Sequence, residues 1–269
     1  MSSPCFVHYQ RHGAIAQLTL DRPDTHNAIA TRQDCADLIA AVQRAQDEPG
    51  VSCLLLTGRG RSFCAGGNLK AMKDRNGIGP LDSVAATRRN YKDGVQAVIR
   101  ALWDCELPMV AAINGHAIGL GLDLACLCDI RVAADTATFA SSFIKLGIIP
   151  GDGGAWILPR IVGLSKASEM ILTGQTLDAT EALACGIVSR VVAPDALLPT
   201  AIALAEAVTA NPAKALRLAK RLLREGQQQG LREVLELSAA FQALAHESAD
   251  HAEAVDAFLQ KRPPRFTGD

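Results

Sequence analysis

The sequence predicts an α/β protein with a helical C-terminal region. Three observations lead there. Short apolar runs of strand length alternate with helical segments through the first part of the chain. The last part has almost purely helical periodicity. Aromatic residues make up only 4% of the chain, so Ala, Leu, Ile and Val must build the core, which suits many packed helices.

The elements follow in order. Residues 5–10 and 14–20 read as two strands around a turn at His12-Gly13. Thr31 has the character of an N-cap, opening a helix to about residue 46. Residues 51–57 form a short apolar run, expected to be a buried strand, and a glycine- and arginine-rich loop follows. Residues 73–80 are polar, carry two glycines and are expected to be mobile. Residues 84–103 show helical periodicity. Residues 109–113 make another buried strand, closed by the turn at Asn114-Gly115. A helix over 120–126 and a strand over 130–133 come next. Beyond them, Asn211-Pro212 is an N-cap and first-turn pair for a helix to about residue 224. Two more helices are expected over 231–245 and 249–260, the last ending before Pro263-Pro264. The division is an α/β core over residues 1–195 and a helical region over 196–269.

Composition narrows the function. The 269 residues carry a net charge of −1, which argues against a nucleic-acid groove. A chain of this length buries roughly three quarters of its unfolded surface, so the core needs no staples. The eight cysteines show no disulfide rhythm and no C-x-x-C, as in reduced cytoplasmic proteins. The most apolar stretch, residues 109–128, is interrupted by Asn114, His116 and Asp123, so a membrane span is not expected. Lys214, Arg217, Lys220, Arg221 and Arg224 form a basic helix face, expected to be solvated.

Two glycine-bearing segments carry the candidate chemistry. SFCAGGNL (62–69) and NGHAIGLGLD (114–123) each follow a buried strand and precede a helix. Small residues let a ligand approach the backbone, and a helix N-terminus offers unpaired N–H groups. Two such ends facing each other would make an oxyanion site; the alternative is a pair of tight turns with close helix packing. Other templates fail. There is no P-loop, no G-x-S-x-G elbow and no complete G-x-G-x-x-G. His246 and His251 are five apart, one residue too far for a zinc-binding helix face, and no metal site is expected.

Longer segments carry a resemblance. DRPDTHNA (21–28), FCAGGNLKAM (63–72), AAINGHAIGLGLDLACLCDIRVA (111–133), FIKLGIIPGDGGAWILPRIVG (143–163), LTGQTLDATEALACGIVSRVV (172–192) and AFLQKRPPRF (257–266) stand in the order and spacing of the crotonase (enoyl-CoA hydratase/isomerase) superfamily. The chain resembles that family over about residues 5–266. The segment from Phe143 is most similar to the ring-opening isomerase branch of phenylacetate degradation. The resemblance implies a spiral core of repeated ββα units and a C-terminal helical region that trimerises and covers the active site. It also implies an acyl-CoA substrate, with coenzyme A part of the substrate and no further cofactor, and a homotrimer or dimer of trimers in the cytoplasm.

Roles follow by position. Gly67 and Leu120 match the residues whose backbone N–H groups hold the thioester oxygen as it becomes an enolate. One such donor is worth about 3 kcal/mol of barrier. Leu120 stands where many relatives have glycine, so its side chain has to point away from the thioester. The first of the two hydratase glutamates aligns with Asp123, shorter by roughly 1.5 Å, one C–C bond. The second aligns with Phe143, which transfers no proton. That departure weakens the case for hydration and favours moving a double bond. Asp152 is a second candidate acid/base, and its rival role is the N-cap of the helix containing Trp156. Asp123 has a rival role too, as a carboxylate pairing near a helix start. Arg22, Ala28, Ala65, Asn68, Leu69 and Gly119 match the groove for coenzyme A and the thioester, with Arg22 a phosphate partner. Phe258 and Lys261 match a pair that reaches the CoA of a neighbouring subunit. The leading reading is thus double-bond isomerisation or hydration of an acyl-CoA. Ring opening, C–C hydrolysis or dehalogenation on the same scaffold is the second, and a non-catalytic acyl-CoA binder the third.

Overall fold

The computed structural model describes residues 5–268. Strand-forming runs pair into two sheets. The larger has the order β1 (Val7–His12), β2 (Ile15–Leu20), β3 (Cys53–Gly58), β5 (Met109–Ile113), β7 (Ile130–Ala134) and β10 (Arg190–Val192). The smaller contains β4 (Ser62–Cys64), β6 (His116–Ile118), β8 (Thr138–Ala140) and β9 (Thr176–Asp178). Among the described residues only β1–β2 and β8–β9 pair antiparallel. Successive strand pairs, β3 with β4, β5 with β6 and β7 with β8, each send one strand to each sheet. Helices follow each pair, so the repeated ββα unit winds through both sheets.

The central strands are apolar on both faces because both faces are covered. In β3, Leu54 and Leu56 enter one core while Cys53 and Leu55 enter another. In β5, Met109, Ala111 and Ile113 join the first core, Val110 and Ala112 the second. This is the period of two expected of a pleated strand packed on both sides. The first core is roofed by α1 (Arg32–Asp47), α4 (Val95–Trp103) and α5 (Leu120–Leu127). The second is closed by α8 (Pro194–Thr209), through Leu197, Ala201 and Ala205. The expected division at residue 195 therefore falls within α8, a helix that packs against the sheet.

Several expectations shift. The first strand runs to His12, because Gly13 at φ 57° turns the chain tightly enough for His12 to pair with Ile15. The helical stretch 84–103 is two helices, α3 (Val84–Asp93) and α4, broken at Gly94. Residues 73–80 are anchored: Ile78 is buried, its N–H donates to Ala30 O, and Asn90 Nδ2 donates to Gly77 O and Gly79 O. The basic face of α9 (Ala213–Glu225) is not wholly solvated. Lys220 is buried, with its Nζ 2.8 Å from Asp129, and Arg224 packs on Trp103. Two more helices, α10 (Leu231–His246) and α11 (Ala249–Leu259), finish the chain.

Candidate active site

The site is built from the two glycine segments outward. The first is held by Asn27, which is fully buried at φ 57°, a conformation asparagine tolerates better than most residues. Its Oδ1 accepts from the Arg22 N–H at 2.8 Å, and its Nδ2 donates to Ser62 O at 2.7 Å and Arg59 O at 2.9 Å. That clamp ties residues 22–29 to β4. From there the Ile29 N–H donates to Gly66 O at 2.8 Å and the Asn68 N–H to Ile29 O at 3.1 Å. These bonds face Gly66 and Asn68 toward Ile29 and turn the Gly67 N–H to the other side. Asn68 then caps α2 (Leu69–Lys73), its side chain accepting from the Ala71 N–H. Asn27 was visible in sequence only as part of a motif; its clamping role needed the left-handed turn to be seen.

The second segment crosses close to the first. Gly119, at φ 55°, ends β6 and starts α5. A Cβ on Gly66 would lie 2.7 Å from Ile118 O and 3.4 Å from Leu120 N, so the two backbones touch where only glycine fits. A Cβ on Gly121 would likewise meet Cys64 O. The N–H groups of Gly67 and Leu120 donate to no acceptor among the described residues. Each lies at or just before the start of a helix, where backbone donors are left over. The Leu120 side chain is 2% exposed and belongs to the apolar core, so its N–H is presented while its side chain is turned away.

Asp123 lies one turn into α5 and is 1% exposed. Asp152 is 4% exposed and sits in the turn before α6 (Gly154–Thr173). Each carboxyl shifts the titration of the other, which places them as neighbours. The N-cap of α6 is Gly153, with no side-chain capping bond, so Asp152 faces Asp123 and does not cap the helix. Each keeps one oxygen without a partner, Asp123 Oδ2 and Asp152 Oδ1. Burial pushes the Asp123 carboxyl well above the usual carboxylate range; the charge and hydrogen bond of Asp152 push it further, and the Gly154 N–H opposes them. Burial also raises Asp152, with the bond to Asp123 acting against it. Two neighbouring buried carboxyls cannot both ionise cheaply, which favours a state in which one of them keeps its proton. Gly154 makes the pair possible: a Cβ there would stand 2.6 Å from both Asp123 oxygens.

The remaining predicted residues divide. The Phe143 ring faces Gly119, 3.3 Å from where a Cβ would sit, and walls the site with an apolar surface. Ala65 donates its N–H to His26 O, and Ala28 is buried beside it. Leu69 is exposed and lines a cavity of about 1060 Å³ that also touches Met72, Tyr91 and Gly151. Arg22 pairs with Asp34 at 2.9 Å and lies over Phe6, so the expected phosphate partner is engaged in holding its own loop. Phe258 and Lys261 are exposed at the end of α11 and do not line that cavity. Tyr91, which the sequence left unmarked, is half-buried with its ring 3.5 Å from a Cβ position on Gly151. Cys64, the thiol nearest the donors, is pushed up to about 12 by burial, which removes it as a nucleophile at neutral pH. Among the described residues no cluster of His, Cys, Asp or Glu could hold a metal ion, and no helix is long and apolar enough to cross a membrane.

Two backbone donors beside a buried carboxyl pair suit an enolate, and comparison with known proteins gives the class. A family model described as enoyl-CoA hydratase/isomerase matches residues 10–269. The chain belongs to that family. A probable enoyl-CoA hydratase from Mycobacterium bovis is 35% identical over 262 residues, 96% of each chain. The 1,2-epoxyphenylacetyl-CoA isomerase of Escherichia coli is 37% identical over 254 residues, 94% of this chain and 95% of the relative. The crystal structure of an enoyl-CoA hydratase from Bacillus anthracis superposes with a TM-score of 0.91 at 29% identity, covering 98% of this chain and 100% of that one. The protein is therefore a crotonase-fold enzyme of the enoyl-CoA hydratase/isomerase family that acts on a CoA thioester.

Proposed function

We propose that this enzyme moves a double bond within an enoyl-CoA, with Asp123 and Asp152 sharing the proton work. The buried carboxyl pair carries the reading. In its singly protonated state one member is a base and the other an acid. The ionised carboxylate takes a proton from the carbon next to the thioester carbonyl of a 3-enoyl-CoA. The electron pair moves onto the thioester oxygen, held by the N–H groups of Gly67 and Leu120. Returning a proton to the far end of the dienolate gives the 2-enoyl-CoA, with no atom of water added. Phe143 stands where the hydratases of the family have their second glutamate, and its ring leaves that side without a group to activate water. The relative named 1,2-epoxyphenylacetyl-CoA isomerase supports isomerisation over hydration, and its epoxide substrate keeps ring opening as the second reading. Coenzyme A arrives as part of the substrate, and these steps need no other cofactor.

The assembly and its setting belong to this proposal. Exposed Leu231, Leu235, Leu244 and Leu259 on α10 and α11 support self-association through the helical end. A trimer or dimer of trimers would bring Phe258 and Lys261 to a neighbour's coenzyme. Eight free thiols support a reducing compartment, the cytoplasm.

Incubation in heavy water with 2-enoyl- and 3-enoyl-CoA esters, read by mass spectrometry, tests the reading. The expected result is deuterium incorporation with bond migration and a bell-shaped pH profile, because the pair must hold one proton. Asp123→Asn and Asp152→Asn should each lower the rate at least ~100-fold. Water addition as fast as migration would overturn the isomerase reading. An unchanged rate in Asp123→Asn would overturn the role of the pair.

A further inference from the structure

The cavity next to the acid pair has an uneven lining. Leu69, Met72, Leu146, Ile148 and Ile149 give it an apolar wall. The helices α3 and α4 bring Arg88, Lys92 and Arg100 to the same lining, and Lys73 adds a fourth cation from the end of α2. No Asp or Glu lines the cavity, and none of these four cations forms an ion pair among the described residues. Four cations without an ion-pair partner around one cavity stand out in a chain whose net charge is −1. Tyr91 of α3 also lines the cavity, and its hydroxyl is without a hydrogen-bond partner among the described residues.

Position says which part of a ligand fills this space. Gly151 lines the cavity and directly precedes Asp152, and the Tyr91 ring lies against Gly151. Burial and the Asp152 charge both raise the Tyr91 phenol, which places it within the field of the acid pair. The reacting carbons must face that pair, so the chain beyond them enters the cavity. An apolar body with an anionic end matches a lining that combines apolar side chains with cations lacking an ion-pair partner.

We propose that the cavity takes an acyl group ending in a carboxylate, the half-thioester of a dicarboxylic acid, held at its far end by Arg88, Lys92 and Arg100. The proposal rests on the enolate reading for its orientation. The same cations could instead serve the phosphates of coenzyme A, and the experiment separates the two sources. Calorimetric binding of adipoyl-CoA, hexanoyl-CoA and free coenzyme A uses unreactive ligands, so it holds even if the proposed proton chemistry fails. Wild-type protein should bind adipoyl-CoA about ten-fold more tightly than hexanoyl-CoA, the size of two or three screened ion pairs. That ratio should shrink with added salt. The Arg88→Gln/Lys92→Gln double variant should bring it close to one, while circular dichroism shows the fold retained. A wild-type ratio near one would overturn the proposal. So would an equal loss of affinity for all three ligands in the variant, which would assign the cations to the coenzyme. Absence of deuterium exchange with every ester, beside an intact binding ratio, would count against the enolate reading alone.

Discussion

Two helices of similar standing in the sequence have opposite surroundings. All eight residues of α5 are buried, from Leu120 to Leu127, Asp123 among them. None of the sixteen residues of α10 is buried. The first helix is locked between sheets and neighbours, and that enclosure is what shifts a carboxyl and dries a site. The second leaves leucines in solvent, with Leu231 74% exposed and Leu235 57%. The buried carboxyls lie where the chain itself supplies their surroundings. The C-terminal helices leave apolar side chains uncovered by the single chain, as Val84, Ile149 and Leu164 are elsewhere.

The tight region should respond most to a small change. Gly154→Ala places a methyl group 2.6 Å from both Asp123 oxygens and should push the carboxyl pair apart. A fall in kcat/KM of about 100-fold is expected, with an unfolding temperature within a few degrees of wild type. Steady-state kinetics beside a thermal melt checks both parts; an unchanged rate would show that the pair tolerates separation. The joint between the two regions should give an intermediate effect. Lys220→Met removes a buried cation whose Nζ stands 2.8 Å from Asp129, itself still 32% exposed at its side chain and 3.7 Å from Arg224. That partial exposure discounts the usual cost of breaking a buried pair, leaving about 1–2 kcal/mol, measurable as a shift in urea midpoint. The open region should respond least. Leu235→Ser should change the stability of the single chain by less than ~0.5 kcal/mol, yet lower the mass seen by sedimentation. A drop in chain stability there would mean that α10 is packed more tightly than its exposure indicates.

Legibility followed locality. Thr31 was readable as a cap because a capping box is a short-range device, and Thr31 and Asp34 make both of its bonds. Residues 84–103 were less readable, because periodicity continues across a glycine whether or not the backbone bends there, and Gly94 does bend it. Residues 73–80 looked loose because polarity and glycine say nothing about distant partners, and it is Ala30 and Asn90 that hold them. The basic face of α9 misled for the same reason: a lysine is solvated by default, and only the placement of Asp129 under it makes Lys220 a buried cation.

The sequence alone determined the alternation of strands and helices, the two glycine segments that lead from a strand into a helix, and the family that their order resembles. These depend on residues within a few positions of one another, where φ preferences and side-chain period decide the outcome. Tertiary structure alone decided that Asp152 meets Asp123, that Arg22 is tied to Asp34, and that Gly154 leaves room for the carboxyl pair. Asp123 and Asp152 lie on different elements, α5 and the turn before α6. No local preference records a contact between groups that only the packing of one helix against another brings together.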